Sequence, residues 1–509
     1  MALLIFNFDG TSNEPSDAVQ DVDYKGSTED DNITNILKFH LLCGGNLHET
    51  QGAAWQGSTQ KSFYYHGIGT YGSRLKRLFN AAISPQKSDV ATILNKAKAD
   101  FNAHYQSGDN ILVTGFSRGG ALARRFAAII DDMNGNVTVY QAIFDTVAAM
   151  GMPNMSKSDR PDSDVVFEKG NTLPTSVKQA LHMVSLDDKR KAFQPTLMNN
   201  EDKVTEIWFG GAHSDVGGGY YRDGLSDISL RFMLNWLEDL DNKYNLEMEV
   251  KTAEDIKFVE ILPEQVKFSI GKDDVLISPN AFGKNHQQKR WAIVERFTLT
   301  DRLCCVIEND KVTKTKPYVH HSVAQRINGD SNYRPESLKR LQHKIIYADN
   351  TQVECEGVGD HIEFAKRNIT LLNVNDSIEV TVFAIEKYNH TGLMLQKNGV
   401  YHFEVKGQQL WRDKSHDTDA NGWCRQEVSW GLKEVSIAAM EPFRRESDAN
   451  WFTLIGAIGT TDDHCFIIGD KLENYMIKKS GEFCPFANDL DKFYGNNSGK
   501  LIVTVTRVE

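Results

Sequence analysis

Val113-Thr114-Gly115-Phe116-Ser117-Arg118-Gly119-Gly120-Ala121-Leu122 is the stretch on which the rest of the chain hangs. Residues 111–114 are apolar or β-branched, as in a strand. Residues 121–130 are a run of helix formers that Asn134-Gly135-Asn136 stops. Between them lies Gly-x-Ser-x-Gly. A serine in a sharp strand-to-helix turn holds its hydroxyl clear of the sheet. Gly115 and Gly119 allow the two elements to approach closely, and the amide of Arg118 points where an oxyanion would form. The pattern alone arises by chance, and a plain βα turn is the simpler reading. Its position between a strand and a helix favours a nucleophile elbow.

Outward from this point the order is strand, helix, strand, helix, strand, helix. Residues 3–8 form an apolar strand of the kind buried on both faces of a parallel sheet. A helix capped by Asp31 carries Ile33, Ile36, Leu37, His40 and Leu41. A strand over 62–65 follows, and then a helix capped by Ser88 with Val90, Ile93, Leu94, Ala97 and Phe101 at helical spacing. Beyond the elbow, residues 137–144, 179–186 and 206–210 read as strands, and Leu225 opens a helix with Ile228, Leu230, Met233, Leu234 and Leu237. Residues 150–175, with Pro153, Pro161 and Pro174, read as an excursion. The pattern predicts an α/β domain with a mostly parallel sheet and flanking helices.

Function in such sheets lies at the carboxyl ends of the strands. Three ends carry the needed groups in the order Ser117, Asp145, His213, the chain order of α/β-hydrolases. His213 would accept the serine proton and return it to the leaving group, while Asp145 orients the imidazole. Asp187 and Asp188 also end a strand and are alternative acids, and Asp215 is a local one. Asn7-Phe8-Asp9-Gly10-Thr11 is near the Asp-x-Asp-Gly-Thr of haloacid-dehalogenase phosphatases, but Asn7 occupies the nucleophile's place. Gly10 and Thr11 are instead candidates for the second oxyanion donor, against a simple turn. His66-Gly67-Ile68-Gly69-Thr70 lacks the third glycine and the acid of a dinucleotide site and reads as a cleft loop.

The 509 residues allow two or three domains. Forty per cent are hydrophobic and 25% charged, and the net charge of -12 argues against a broad nucleic-acid-binding face. Seven scattered cysteines without a Cys-x-x-Cys read as reduced, buried thiols. The N-terminus has no basic segment and runs directly into a strand, so no signal peptide is expected, and no apolar run is long enough to span a bilayer.

Asn-Phe-Asp-Gly-Thr, Gly-Ile-Gly-Thr, Gly-Phe-Ser-Arg-Gly, Phe-Asp-Thr-Val and Gly-Ala-His-Ser-Asp-Val-Gly-Gly-Gly-Tyr together resemble the catalytic domain of type VI secretion lipase effectors, over about residues 1–345. The resemblance implies an α/β-hydrolase acting on membrane phospholipids. It maps the nucleophile to Ser117, the acid to Asp145 and the base to His213, and it implies no catalytic cofactor. His320 and His321, in a motif near the end of the domain, are the fallback base. The resemblance also implies synthesis in a bacterial cytoplasm, delivery to a target cell's periplasm or membrane, and a secretion spike protein and an immunity protein as partners.

From about Asp376 the strands become short and alternating, which predicts a β-sandwich over 376–509 after a linker at 346–375. Near its end, Asp489, Phe493, Asn496 and Asn497 crowd oxygen donors onto a short loop of the kind Ca²⁺ uses, against an ordinary Asn/Gly turn. This segment resembles the calcium loop of galactophilic bacterial lectins, a jelly-roll family. The resemblance makes Asp489, the Phe493 carbonyl, Asn496 and Asn497 the ligands and aligns Trp411 with an early strand. The sugar-contacting His and Gln of those lectins have no clear counterpart near residues 417–423. The expected activity is a phospholipase A type serine hydrolase. The alternatives are a calcium-dependent carbohydrate-binding protein with a vestigial hydrolase, and a general carboxylesterase.

Overall fold

Strand β1 (Leu3–Phe8) is buried along its whole length and pairs in parallel with β2 (Lys61–Tyr65) on one side and β3 (Asn110–Phe116) on the other. From β3 the sheet continues in parallel through β4 (Thr138–Phe144), β5 (Val177–Ser185), β6 (Val204–Phe209), β7 (Tyr318–His320) and β8 (His343–Ile346). An antiparallel edge strand, β9 (Gln352–Cys355), completes nine strands. This is a computed structural model, and it describes residues 2–10, 13, 15–18, 30–48, 52–67, 87–147, 173–264, 266, 268–287, 298–347, 352–359, 370–384, 386–413, 416–425, 441–490, 493–494 and 497–509.

The period-two alternation of β1 explains why the sheet is covered on both faces. Leu4, Phe6 and Phe8 share one core with Ala97 and Phe101 of α2 (Lys87–His104) and with Phe126 of α3 (Ser117–Met133). Leu3 and Ile5 share the opposite core with Ile36 and Phe39 of α1 (Asn35–Leu42) and with Leu230, Met233 and Leu237 of α5 (Gly224–Tyr244). A five-residue helix, α4 (His213–Gly217), precedes α5. The chain leaves β1 for β2 on one side and returns to β3 on the other. The direction of winding therefore reverses between β1 and β3, and a crevice is expected at their carboxyl ends.

Two unexpected features have local causes. Helix α1 is capped by Thr34, whose Oγ1 accepts the Leu37 amide, and not by Asp31. The same hydroxyl donates to the Asp9 carboxylate, so the chain enters α1 from a contact with the end of β1. The three strands after residue 317 are short, and His343–Ile346 and Gln352–Cys355 carry the polar-apolar mixture of a sheet edge. They extend the first unit into the stretch expected to be linker. The chain divides into Met1–Val19 with Asp31–Lys366, and Gln20–Asp30 with Arg367–Glu509. Asn7, in the phosphatase-like motif, donates to Ser62 Oγ and to the Phe63 carbonyl and accepts from Thr114 Oγ1, so it serves as a cross-strand tie.

The second unit is antiparallel throughout its described strands. At its centre the long β20 (Asn497–Arg507) pairs with β10 (Ser377–Phe383), β12 (Val400–Val405) and β13 (Trp411–Asp413). Strands β14 (His416–Thr418) and β17 (Lys471–Met476) extend the sheet beyond β13 and β12. Three smaller pairings join β15 (Leu454–Gly456) to β16 (Phe466–Ile467) and to β19 (Phe486–Ala487), and β11 (Met394–Leu395) to β18 (Gly481–Glu482). One core of Val382, Tyr401, Phe403, Trp411, Phe452, Phe483 and Val503 unites them. The observed architecture is thus the expected α/β unit followed by an all-β unit. All seven cysteines are free thiols, five of them buried, with Cys424 and Cys465 half-buried. No helix among the described residues is long and apolar enough to cross a membrane.

Candidate active site

Ser117 follows β3 directly and opens α3 with φ 58°, a left-handed conformation for a non-glycine residue. That costs of the order of 1–3 kcal/mol and persists only where neighbours enforce it. Here they do. A Cβ on Gly115 would lie 2.6 Å from the Gly119 carbonyl oxygen, and one on Gly119 would overlap the carbonyls of Phe8 and Asp9. Helix and sheet therefore meet backbone to backbone around the serine. The side chain of Ser117 is almost wholly buried, and its carbonyl accepts the Val147 amide.

The register pairs Phe116 with Phe144, so Ser117 and Asp145 leave neighbouring strands at the same level. Asp145 also has positive φ, 38°, and is completely buried. His213 begins α4 after β6, and its Nδ1 lies 2.5 Å from Asp145 Oδ2. The imidazole sits between two aromatic rings, with Phe116 at 4.6 Å and Phe193 edge-on at 5.0 Å between centroids. Its Nε2 is buried and has no hydrogen-bond partner among the described residues. Burial lowers the His213 pKa, and Asp145 only partly offsets this.

Sequence reasoning missed Arg302. Its Nη1 donates to Asp145 Oδ1 at 2.6 Å and its Nη2 to Oδ2 at 2.9 Å, and the same groups bond the carbonyls of Ser185 and Phe193. The Ser185 amide adds another bond to Asp145 Oδ1. Burial alone would raise the Asp145 pKa, but Arg302 and His213 outweigh it and hold the carboxyl well below the usual carboxylate range. His182 supports the adjacent turn: its Nε2 accepts the Thr146 amide and its Nδ1 faces Glu206. A buried carboxylate demands a cation, but no local pattern in Thr300-Asp301-Arg302-Leu303-Cys304-Cys305 singles Arg302 out.

The alternative acids lie on other atoms. Asp187 accepts from the Gly211 amide, Asn285 and the Tyr333 hydroxyl. Asp188 pairs with Arg190 and accepts the backbone amide of His213 at 3.2 Å, which places that residue's main chain. Asp215 binds the ring and amide of His286. His320 stacks on Phe209 and bonds Ser322, and His321 packs beside it.

Gly10 lies against the ring of Phe116, where a Cβ would come within 2.7 Å, but its amide is committed to Asp9 Oδ1. Thr11 falls outside the described residues, as do residues 68–70 of the Gly-Ile-Gly-Thr motif and residues 148–172 of the excursion. The amide of Arg118 lies in the first turn of α3, where no intrahelical acceptor exists. The Arg118 guanidinium is buried without an anionic partner among the described residues, and burial alone lowers its pKa to about 10. Asp9, which accepts from Tyr64, Thr34 and Gly10, is pushed up to about 6 by burial despite those bonds.

In the second unit, Asp489 Oδ2 accepts from Asn497 Nδ2 at 3.0 Å and Oδ1 from the Leu490 amide. Burial, the largest cause, raises the Asp489 pKa. Asn497 Oδ1 is buried and has no hydrogen-bond partner among the described residues. The Phe493 amide bonds the Leu490 carbonyl, so this turn is closed. Asn496 falls outside the described residues. A buried carboxylate beside an orphaned amide oxygen fits a hard cation. Trp411 is buried and its indole donates to the Asp419 carbonyl.

Residues 3–135 and 134–236 match the family model described as T6SS, Phospholipase effector Tle1-like, catalytic domain. No curated protein matches. Among solved structures, the Tle1 effector bound to the VgrG spike of the type VI secretion system is 24% identical over 43% of this chain and 51% of that one, with a TM-score of 0.27. An uncharacterised protein from Pseudomonas aeruginosa is 16% identical over 55% and 49%, with a TM-score of 0.32. The EclA N-terminal domain, a PllA-like lectin, is 18% identical over 26% of this chain and 94% of that one, with a TM-score of 0.18. The chain thus spans about half the length of the Tle1 effector. Residues 3–236, a little under half of the chain, are thus similar to the Tle1-like catalytic domain of the type VI secretion phospholipase effectors.

Proposed function

We propose that the chain is a serine hydrolase that cleaves an acyl ester of membrane phospholipids. The carrying observation is the state of His213: one ring nitrogen is held by Asp145, and the other is buried and unpartnered beside the ring that precedes Ser117. In this reading Nε2 takes the Ser117 proton as Oγ attacks the acyl carbonyl. The Arg118 amide stabilises the oxyanion, and the imidazolium then gives its proton to the departing lysophospholipid oxygen. Water deprotonated by Nε2 releases the fatty acid from the acyl-enzyme. Arg302 keeps Asp145 ionised so that it can stabilise the imidazolium. No catalytic cofactor is needed for these steps.

An anionic substrate is favoured over a neutral ester by Arg118. A guanidinium that is buried without a carboxylate partner among the described residues gains from an incoming phosphodiester. By likeness to the Tle1-like family, the chain would be loaded on a secretion spike protein, act at a target cell's periplasm or membrane, and be restrained by an immunity protein. In the second unit, Asp489 and Asn497 would hold Ca²⁺, with Phe493 and Asn496 as further donors by the lectin likeness. The ion would neutralise the buried carboxylate and order the loop.

The test is mass spectrometry of phospholipid vesicles after incubation with the wild type and with Ser117→Ala. Free fatty acid and one lysolipid are expected with the wild type alone. Phospholipid left intact by the wild type, or equal release by Ser117→Ala, would refute the reading.

A further inference from the structure

In the second unit, His390, Glu482 and Cys484 bring a ring nitrogen, a carboxylate oxygen and a thiol sulfur within 4.8 Å of one another. His390 Nδ1 lies 3.0 Å from Glu482 Oε2 and 3.9 Å from Cys484 Sγ. Glu482 and Cys484 are buried, while His390 is half-buried at the rim. The three residues come from segments more than ninety positions apart, and the fold fixes both. Glu482 Oε1 accepts the Gly392 amide, Thr391 Oγ1 donates to the Phe483 carbonyl, and the Phe483 amide donates to the Leu393 carbonyl. On the far side, the Asn389 amide bonds the Pro485 carbonyl and the Cys484 amide bonds that of Ala457. These bonds hold the two segments together, and the one that reaches a donor side chain uses Glu482 Oε1 and not the Oε2 that faces His390.

We propose that His390, Glu482 and Cys484 form a binding site for a borderline-soft divalent cation, of which Zn²⁺ is the type. The simpler reading is a histidine–glutamate ion pair with an inert thiol nearby. Three observations favour the metal. A tetrahedral ion with bonds of about 2.0 Å to nitrogen and oxygen and about 2.3 Å to sulfur sets its ligand atoms roughly 3.3–3.5 Å apart. The observed 3.0 and 3.9 Å bracket that spacing, so small side-chain rotations suffice. Thiolate and imidazole select against Ca²⁺ and Mg²⁺. Charge also balances: a carboxylate, a thiolate and a neutral imidazole around a divalent ion leave no net charge in a mostly buried place. Binding breaks the S–H bond of Cys484 and releases that proton to solvent. A fourth ligand would complete the tetrahedral coordination. The cation would clasp the loop at 389–392 to the strand at 481–482.

The test uses the full chain, stripped with a chelator and then titrated with Co²⁺ alone. One equivalent should bind with a thiolate-to-cobalt charge-transfer absorption and the visible bands of a four-coordinate ion, and Zn²⁺ should bleach both. His390→Gln and Cys484→Ser should each lose the charge-transfer band and weaken binding by at least about tenfold. Cys465→Ser, which lies outside the cluster, should keep it. If Cys484→Ser does not fold, His390→Gln at the rim decides alone. A wild type without a thiolate band, or a band that survives in His390→Gln at unchanged affinity, would overturn the proposal. Neither result bears on hydrolysis by Ser117.

Discussion

At the scale of single residues, the site depends on two buried titratable groups held in opposite ways. Asp145 is kept anionic by Arg302, and His213 is kept neutral chiefly by burial. A base must be neutral to work, so the lowered His213 value should extend activity below the pH at which an ordinary imidazole fails. Arg190 disfavours the imidazolium, and its partner Asp188 favours it. Arg190→Gln removes the first and unpairs the second, both of which raise the His213 pKa. The acid limb of kcat/KM should move up by roughly half a pH unit or more, read from a pH–rate profile. Arg302→Gln breaks a buried ion pair and should cost about 3–5 kcal/mol in urea denaturation at pH 7. Asp145 has a depressed folded pKa, so its stabilisation is present above the usual carboxylate range and is lost as pH falls through the lower folded value. The gap between the two proteins should close in that acid range.

Asp9 works in the other direction. Its folded pKa of about 6 lies above the ordinary 3.8, so the folded state holds the proton longer. Stability contributed by protonation is present below about 3.8 and is lost as pH rises to about 6, by up to about 3 kcal/mol. Asp9→Asn should flatten the stability–pH curve across that window. Arg118→Gln should reduce phospholipid turnover about tenfold or more while sparing a neutral short-chain ester. Equal loss on both substrates would remove the argument for an anionic substrate.

At the scale of elements, the elbow depends on α3 touching β1. Gly119→Ala would drive a methyl group into the carbonyls of Phe8 and Asp9 and should cost roughly 2–4 kcal/mol or prevent folding, as measured by thermal melting. This contact also explains what the sequence made legible. Strands β1 to β6 have five to nine residues, are mostly buried and are rich in apolar residues, so apolar runs marked them, and the ends of β3, β4 and β6 lead to Ser117, Asp145 and His213. Strands β7 to β9 have three or four residues each and mixed polarity, so no run marked them. Arg302 was illegible for a related reason: its role is a contact across 157 positions, with no periodicity to announce it.

At the scale of the molecule, the α/β unit and the all-β unit each have their own core. The switch from long buried runs to short alternating strands announced the second unit. The division between Lys366 and Arg367 falls inside the stretch at 346–375, whose first part holds the edge strand β9. If Asp489 and Asn497 hold Ca²⁺, adding the ion should raise the melting temperature of the wild type, by the equivalent of about 2.7 kcal/mol at a hundred times Kd. Asn497→Ala should abolish the shift.

The central claim is that Ser117 is a nucleophile activated by His213. Labelling the full chain with a fluorophosphonate, followed by peptide mass spectrometry, tests it most directly. The account predicts one phosphonylated peptide carrying the adduct on Ser117, formed rapidly by the wild type and far more slowly by His213→Ala. An unlabelled Ser117 in the folded wild type, or the same labelling rate without His213, would contradict it.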